Sequence, residues 1–408
     1  MKYRFFYPYI LIFLCVSVGS LLVAGCTISP KAPPITPQTA LRKVSFFRIP
    51  AFMDDMAYDG LEHCISKSIS YLMRVPSDRI FQFGEDSFNA DHMIKSLEHF
   101  LNFIQTNPSK RKLKKFIRSN YQIYESVGLN KTGKVLFTGY YEPLLHGRLN
   151  RSDEYRFPVY GRPNDLLTID LSLFSSRWQG EKIIARYSDQ TVTPYHDRRE
   201  IENENVLAGK ARAIAWVNDP IDLFFLQIQG SGKIYLDNGH AIHVHYHTSN
   251  GRAYRSIGKL LIDEGKIPRS EMSMQAIRMY LHAHPEEVQT ILNYNPSYIF
   301  FKTEDDGPIG YIGEKLTPGR SIAVDWRIFP LAALAFIETK KPLITADGRI
   351  HQWNDFSRFV VSQDTGGAIR GSGRADLFWG NGTYAEIAAG HLQHHGNLYF
   401  LILKKEIK

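Results

Sequence analysis

Apolar residues recur at helical spacing in three stretches near the start of the chain. Met56, Leu61, Ile65, Ile69 and Leu72 mark the first, and Met93, Leu97, Phe100, Leu101 and Ile104 the second. Leu113, Phe116, Ile117, Tyr121 and Tyr124 mark the third. Steps of three and four put such residues on one face of a helix, so residues 53–128 are predicted to be helical, closing at Gly128. After Lys134 the period changes. Up to about residue 246 the apolar runs are short, β-branched or aromatic, and separated by Gly, Pro, Asn and Asp. Residues 135–141, 213–217, 224–228 and 233–236 are examples, and the pattern predicts strands. Helical spacing returns over 254–264 and 272–293, followed by Tyr298-Ile299-Phe300-Phe301. The last hundred residues read as strand and turn, with strands expected over 325–336, 359–362 and 398–403. Gly366, Gly367, Gly371, Gly373, Gly380 and Gly382 punctuate them. The pattern as a whole predicts a mainly β protein with helices added on its N-terminal side.

The N-terminus has another character. Lys2 and Arg4 precede an apolar run over residues 5–23, and Ala24-Gly25-Cys26 closes it. A basic head, an apolar body and small residues before a cut site describe a secretory signal. The run is long enough for a membrane anchor as well, but small residues and a cysteine end it where a signal would end. Pro30, Pro33, Pro34 and Pro37 follow. Prolines at this density make an extended, semi-rigid tether. The expected organisation is a leader over 1–25, a tether over 26–43 and a folded remainder large enough for two domains.

Composition narrows the classes. The formal charge is +8, or +6 once Lys2 and Arg4 are set aside, and it is spread out except at residues 110–115. Nucleic-acid binding calls for a concentrated basic stripe, so no nucleic-acid partner is expected; an acidic polymer or anionic surface suits a mild excess. Of the three cysteines, Cys15 lies in the leader and Cys26 at its end, which leaves Cys64 without an intramolecular partner. Cys64 falls among Leu61, Ile65 and Ile69 at helical spacing and reads as a buried small residue. His243, His245 and His247 alternate, so a strand would align them. Three aligned imidazoles could hold zinc, but the expectation is a solvated strand face, as it is for His391, His394 and His395. Gln229-Gly230-Ser231-Gly232 lacks the Lys-Ser/Thr that completes a phosphate loop.

Chemistry concentrates in residues 363–380. Asp364 and Asp376 stand twelve positions apart, glycines flank both, and Phe378 and Trp379 follow. Glycine lets backbone approach a ligand closely, and paired carboxylates near aromatic platforms are what glycoside cleavage uses. Aspartates in a Gly-rich β region also serve as turn residues, so the pattern alone leaves both readings open.

Asp364-Thr365-Gly366-Gly367-Ala368-Ile369 and Asp376-Leu377-Phe378-Trp379-Gly380, with Ala323-Val324-Asp325 before them, resemble the 3D domain, named for three aspartates. Thr138-Gly139-Tyr140-Tyr141-Glu142-Pro143, Gln229-Gly230-Ser231-Gly232, residues 250–259, Met272-Ser273-Met274-Gln275 and Asn295-Pro296-Ser297-Tyr298 extend the likeness. Together, from about residue 44 to the end, they resemble the membrane-bound lytic murein transglycosylase A family. The resemblance implies a double-psi β-barrel domain over 44–137 and 303–408, an inserted β domain over 138–302, and a substrate groove between them. It implies cleavage of peptidoglycan glycan strands between N-acetylmuramic acid and N-acetylglucosamine, with a 1,6-anhydro product and no cofactor or metal. Asp376 is then the catalytic acid and base, and Asp364 and Asp325 support it. Tyr140, Gln229, Ser231, Tyr254, Arg255, Gly366 and Gly367 are the expected substrate contacts. Arg370 stands where relatives often have Lys, which keeps the charge and alters its geometry. Asp364 is expected to help keep Asp376 protonated by like-charge repulsion. A Cys after Ala-Gly also resembles the lipobox of bacterial lipoproteins. With Thr27 rather than Asp next, that implies an outer-membrane lipid anchor at Cys26 on the periplasmic side, where complexes with cell-wall synthases or hydrolases are plausible. A hydrolase using both aspartates and a non-catalytic wall-binding protein are the alternatives.

Overall fold

The structure, a computed structural model, describes residues 34–405. The leader, Cys26 and most of the Pro-rich segment lie outside the described residues. Leu41–Lys43 is already a strand of the main sheet, hydrogen-bonded to Tyr121–Ser126, so the last residues assigned to the tether belong to the folded part.

Six strands close into a barrel. Going round it, Gln393–Leu403 pairs with Leu334–Ile344, then come Ile350–Asp364, Ser321–Ala323, Arg374–Phe378 and Val135–Tyr140, and the last returns to Gln393–Leu403. Two of the six pairings are parallel, Ser321–Ala323 with Ile350–Asp364 and Arg374–Phe378 with Val135–Tyr140. Closure satisfies the edges that an open sheet would leave unpaired. The barrel strands are buried on both faces in places, with Phe336, Phe359, Val360, Val361, Ala375, Leu377 and Phe400 at or below 1% exposure. Each of the Phe, Val and Leu side chains contributes roughly 1.5–3 kcal/mol by leaving water.

Three helices cover one side. Leu61–Arg74 buries Leu61, Cys64, Ile65, Ser68 and Leu72, which share one face. Ala90–Ile104 starts where the Asn89 side chain accepts from the His92 backbone N–H, and it buries Met93, Leu97, Phe100 and Ile104. Lys110–Asn120 is capped by Ser109 and buries only Leu113 and Ile117, leaving its basic residues outward. The third helix stops short of the sequence-based expectation. Tyr121–Ser126 is a strand paired with Gln393–Leu403. Tyr, Ile and Tyr suit a pleated surface, and an available barrel edge overrides a weak helical period. Cys64 is buried as expected, with its thiol 3.2 Å from Gln363 Oε1 and pushed up to about 12 by burial.

Between Tyr140 and the strand Ile299–Glu304 the chain builds a second sheet. Its order is Ile299–Glu304, Ala241–Ser249, Ser231–Leu236, Leu144–Arg148, Ala213–Val217 and Phe157–Tyr160. A bridge between Gly161 and Phe301 brings its two edges together. Leu145, Val159, Val217, Ile234, Val244 and Phe301 fill its own small core. A separate three-stranded sheet, Thr191–Pro194, Lys182–Ser188 and Leu167–Asp170, completes this part. Residues 224–228, expected as a strand, lie instead in the helix Pro220–Gln229, which Asp219 caps and Pro220 opens. Every side of this helix is apolar, so periodicity alone could not tell it from a buried strand. The helices Ile257–Asp263 and Met274–Ala283 follow. Ile257, Leu261, Met274, Ile277 and Phe225 pack into the same apolar cluster as the barrel. Second sheet and barrel are thus welded through helices that share the barrel's core.

Candidate active site

One register row explains how distant residues meet. Asp364 pairs with Ala323, Ala323 with Asp376, Asp376 with Thr138 and Thr138 with Gln393. Residues facing each other across a sheet point to the same side, so the two carboxylates stand on one face, two strands and roughly 10 Å apart at their Cα atoms. Ala323 between them is too small to fill the gap. Asp364, Ala323, Asp376 and Thr138 line a cavity of about 510 Å³. The opposite wall comes from the second sheet and its helices and includes Arg198, Gln227, Gln229, Tyr254, Asn295 and Ser297. A second cavity of about 500 Å³ shares Thr138, Gly139, Ile228, Gln229, Tyr254 and Ser256 with the first and continues past Met272, Met274 and His391. Sharing those residues, the two run into one continuous groove, which suits a chain-like ligand.

Asp376 is 8% exposed. Thr138 Oγ1 donates to its Oδ1 at 2.5 Å, Arg374 Nε donates to Oδ1 at 3.1 Å and Arg374 Nη2 to Oδ2 at 3.3 Å. Arg374 lies two residues earlier on the same strand, so its side chain runs beside that of Asp376. Asp364 has a different environment. It accepts from the Tyr311 backbone N–H at 2.9 Å. Burial pushes its carboxyl up to about 6; the Thr365 and Tyr311 amides and the Tyr140 hydroxyl oppose the shift, and the charge of Asp376 adds to it. Burial thus makes Asp364 a weaker acid than an ordinary carboxyl. The Tyr140 hydroxyl faces Asp364, and burial and that carboxyl hold it well above the ordinary phenol range.

Asp325, the third aspartate, does not line the groove. It is 2% exposed, accepts from Arg327 Nε and Nη2 at 2.8 Å each, and takes the Gly371 backbone N–H at 2.8 Å. Burial works to raise its pKa, but these bonds to the charged form win and hold it below the usual range. It pins the loop that carries residues 365–373 between the two groove aspartates.

The expected substrate contacts divide. Tyr140, Gln229, Tyr254, Gly366 and Gly367 line the groove. Gln229 Oε1 also accepts from the Tyr141 backbone N–H at 3.1 Å, tying a helix of one wall to the strand end of the other. A Cβ at Gly367 would meet nothing within 4 Å, so backbone there is open to a ligand. Ser231 and Arg255 lie outside the lining of both cavities. Ser231 opens a strand paired with His245, and the Arg255 guanidinium sits 5.8 Å over the Tyr294 ring. Thr138, Arg374, Arg198 and Gln227 were not singled out from sequence. Thr138 lay within a recognised motif, but only register brings it to Asp376.

Two family models match the chain, the MltA specific insert domain over residues 136–302 and the 3D domain over 320–402. The membrane-bound lytic murein transglycosylase A of Escherichia coli (strain K12) is 32% identical over 281 residues, which cover 68% of this chain and 68% of that protein. The chain belongs to the membrane-bound lytic murein transglycosylase A family. The Vibrio cholerae member is likewise 32% identical, over 283 residues and 68% of each chain. Among solved structures, the membrane-bound lytic murein transglycosylase of Agrobacterium tumefaciens superposes with a TM-score of 0.71 at 28% identity, covering 89% of this chain and 98% of that one. For the Neisseria gonorrhoeae family member the values are 0.68, 27%, 90% and 93%.

Proposed function

We propose that this chain is a peptidoglycan lytic transglycosylase in which Asp376 acts first as acid and then as base. One observation carries the reading: Asp376 and Asp364 share a sheet row on the floor of a long groove, and Asp376 is held by Thr138 and Arg374. The relatives' name supplies the polymer, murein; the bond in this reading is the β-1,4 link between N-acetylmuramic acid and N-acetylglucosamine. Asp376 gives its proton to the bridging oxygen as the bond from C1 to that oxygen breaks. The resulting carboxylate takes the proton of the muramyl C6 hydroxyl, whose oxygen bonds to C1 and closes the 1,6-anhydro ring. The carboxyl regains its proton and no water is consumed. Holding nucleophile and electrophile in one sugar removes the entropic cost of capturing a water, and one carboxyl serves both steps because each restores the other's starting state.

In this reading residues 44–137 and 303–408 form a double-psi barrel domain and 138–302 the insert that faces it. The chain is tethered through a lipid on Cys26 to the periplasmic face of the outer membrane.

Asp364 favours a second reading. A raised carboxyl opposite another aspartate is the arrangement of a hydrolase that protonates with one group and activates water with the other. The products of purified sacculi decide. Mass spectrometry should find anhydro-muropeptides, one water lighter than hydrolysed ones, and find none with Asp376→Asn. Reducing-end products lost in both Asp364→Asn and Asp376→Asn would establish the hydrolase. Sacculus binding without any product would leave a wall-binding protein.

A further inference from the structure

The groove wall opposite the carboxylates holds a buried polar pair to which the reaction assigns no role. Arg198 and Gln227 both line the cavity, at 1% and 4% exposure. Arg198 is immobilised from every side. Nε donates to Asn295 O at 3.0 Å, Nη1 to Glu202 Oε1 at 2.8 Å, and Nη2 to Ser297 O at 2.7 Å and to Gln227 Oε1 at 2.6 Å. Its plane also lies 4.7 Å from the Phe224 ring and 5.2 Å from the Tyr298 ring. Glu202 offsets its charge.

This arrangement fixes Gln227. A guanidinium only donates, so the oxygen of the Gln227 amide faces Arg198 and the NH₂ faces the other way. That Nε2 is buried and has no hydrogen-bond partner. The Tyr298 hydroxyl lies near enough to sense the amide but forms no hydrogen bond with it. An unpaired buried donor is destabilising, so a fold that keeps one beside a ligand groove leaves it for the ligand. On the glycan of the proposed function, the acetamido group offers such a donor a carbonyl oxygen with a methyl beside it. Ile228, the next residue of the helix, and Ile299 line the same cavity and supply apolar surface.

We infer that Gln227 Nε2 donates to the carbonyl oxygen of a 2-acetamido group of the bound glycan, with Ile228 and Ile299 taking its methyl. Arg198 is the positioning residue that holds Gln227 in this orientation. The inference rests on the proposed glycan-cleaving function and gives the insert wall the task of reading N-acetylation, separate from the chemistry on the barrel wall.

The test compares two neutral hexasaccharides, chitohexaose with acetamido groups and cellohexaose with hydroxyls at the same carbon. Affinities are measured by calorimetry on the chain and on Gln227→Glu and Gln227→Met. Glu keeps the oxygen for Arg198 and loses the donor; Met adds no charge but loses both the donor and the oxygen that accepts from Arg198. The unmodified chain should bind chitohexaose more tightly. Both variants should lose about tenfold in chitohexaose affinity, the equivalent of about 1.4 kcal/mol, while cellohexaose affinity stays put and the melting temperature falls only for Gln227→Met, which takes the acceptor from Arg198. Retention of the preference in both variants overturns the inference. So does an equal fall in both affinities with a lowered melting temperature, which would make Gln227 purely structural. If the unmodified chain binds neither sugar but still binds sacculi, the acetamide contact is wrong and the wall reading stands; if it binds neither sugars nor sacculi, the glycan reading fails with it.

Discussion

The two walls of the groove are built on different principles. The barrel wall is a register row in a closed sheet, and its side chains are held by hydrogen bonds between neighbouring strands. It carries the carboxylates. The facing wall consists of helix ends and loop residues, Gln227 and Gln229 at the close of a helix, then Tyr254, Asn295 and Ser297. It carries amides, hydroxyls and an aromatic ring. A proton transfer needs its groups held to a fraction of an ångström, which a sheet row provides. Recognition of a long polymer tolerates looser elements. Damage to the barrel wall should therefore strike turnover, and damage to the opposite wall should strike binding.

The largest expected effect is Asp376→Asn, which should lower anhydro-muropeptide formation by about 10²–10⁴-fold with sacculus binding retained, as pull-down of insoluble sacculi would show. A variant with a comparable loss of binding would blur the distinction between the walls. Next comes Gly139→Ala. A Cβ there would lie 2.7 Å from Ala389 Cα and from the Trp379 ring nitrogen, so the helix Thr383–His391 must move off the groove floor. Overpacking of this kind costs about 1–3 kcal/mol and should appear as a lower unfolding midpoint in urea. Gln229→Leu removes the bond to the Tyr141 amide that ties wall to wall. It should raise KM about tenfold and leave kcat within about twofold, since a lost hydrogen bond to a buried amide costs about 1–3 kcal/mol; a fall in kcat alone would argue against the assignment.

Asp364 offers a subtler test. Its folded pKa, about 6, lies above the ordinary carboxyl value of 3.8. The native state therefore holds this proton more tightly than the unfolded chain does, and stability is lost as pH rises from about 4 to about 6. Asp364→Asn escapes that loss. It should melt higher than the unsubstituted chain at pH 7, by roughly 2–4 °C, and the difference should shrink as pH falls toward 4; scanning calorimetry at several pH values would show it. The smallest effects belong to Ser231→Ala and Arg255→Ala. Neither residue lines the groove, so sacculus turnover should stay within about twofold, and a larger loss would extend the binding wall beyond the two cavities.

Legibility in the sequence followed the range of the forces involved. The helices Leu61–Arg74 and Ala90–Ile104 were readable because one apolar face at fixed spacing suffices to specify them. The strand Tyr121–Ser126 and the helix Pro220–Gln229 were misread, the first because a barrel edge recruited it and the second because its burial on all sides erased the period. Of the site, Asp364 and Asp376 stood out through their motifs, and Tyr140, Gln229 and Tyr254 came with the family resemblance. Thr138 could not be tied to Asp376, because the hydrogen bond joins residues far apart in the chain. Gln227 was invisible for a related reason. An apolar helix ending in Gln-Ile-Gln does not reveal which amide is locked by an arginine and which reaches the other wall.

By itself the sequence determined the helical N-terminal region, the β-rich remainder, the Gly-rich loop with its two aspartates, and the family, since these rest on local periodicity and on motifs contiguous in the chain. The tertiary structure decided which residues share a row, that burial turns Asp364 into a weak acid, that Asp325 is a clamp rather than part of the groove, and where a donor is left without a partner. Those outcomes depend on strand register, desolvation and the geometry of pairs distant in sequence, and such quantities exist only once the chain has closed its sheets and excluded water.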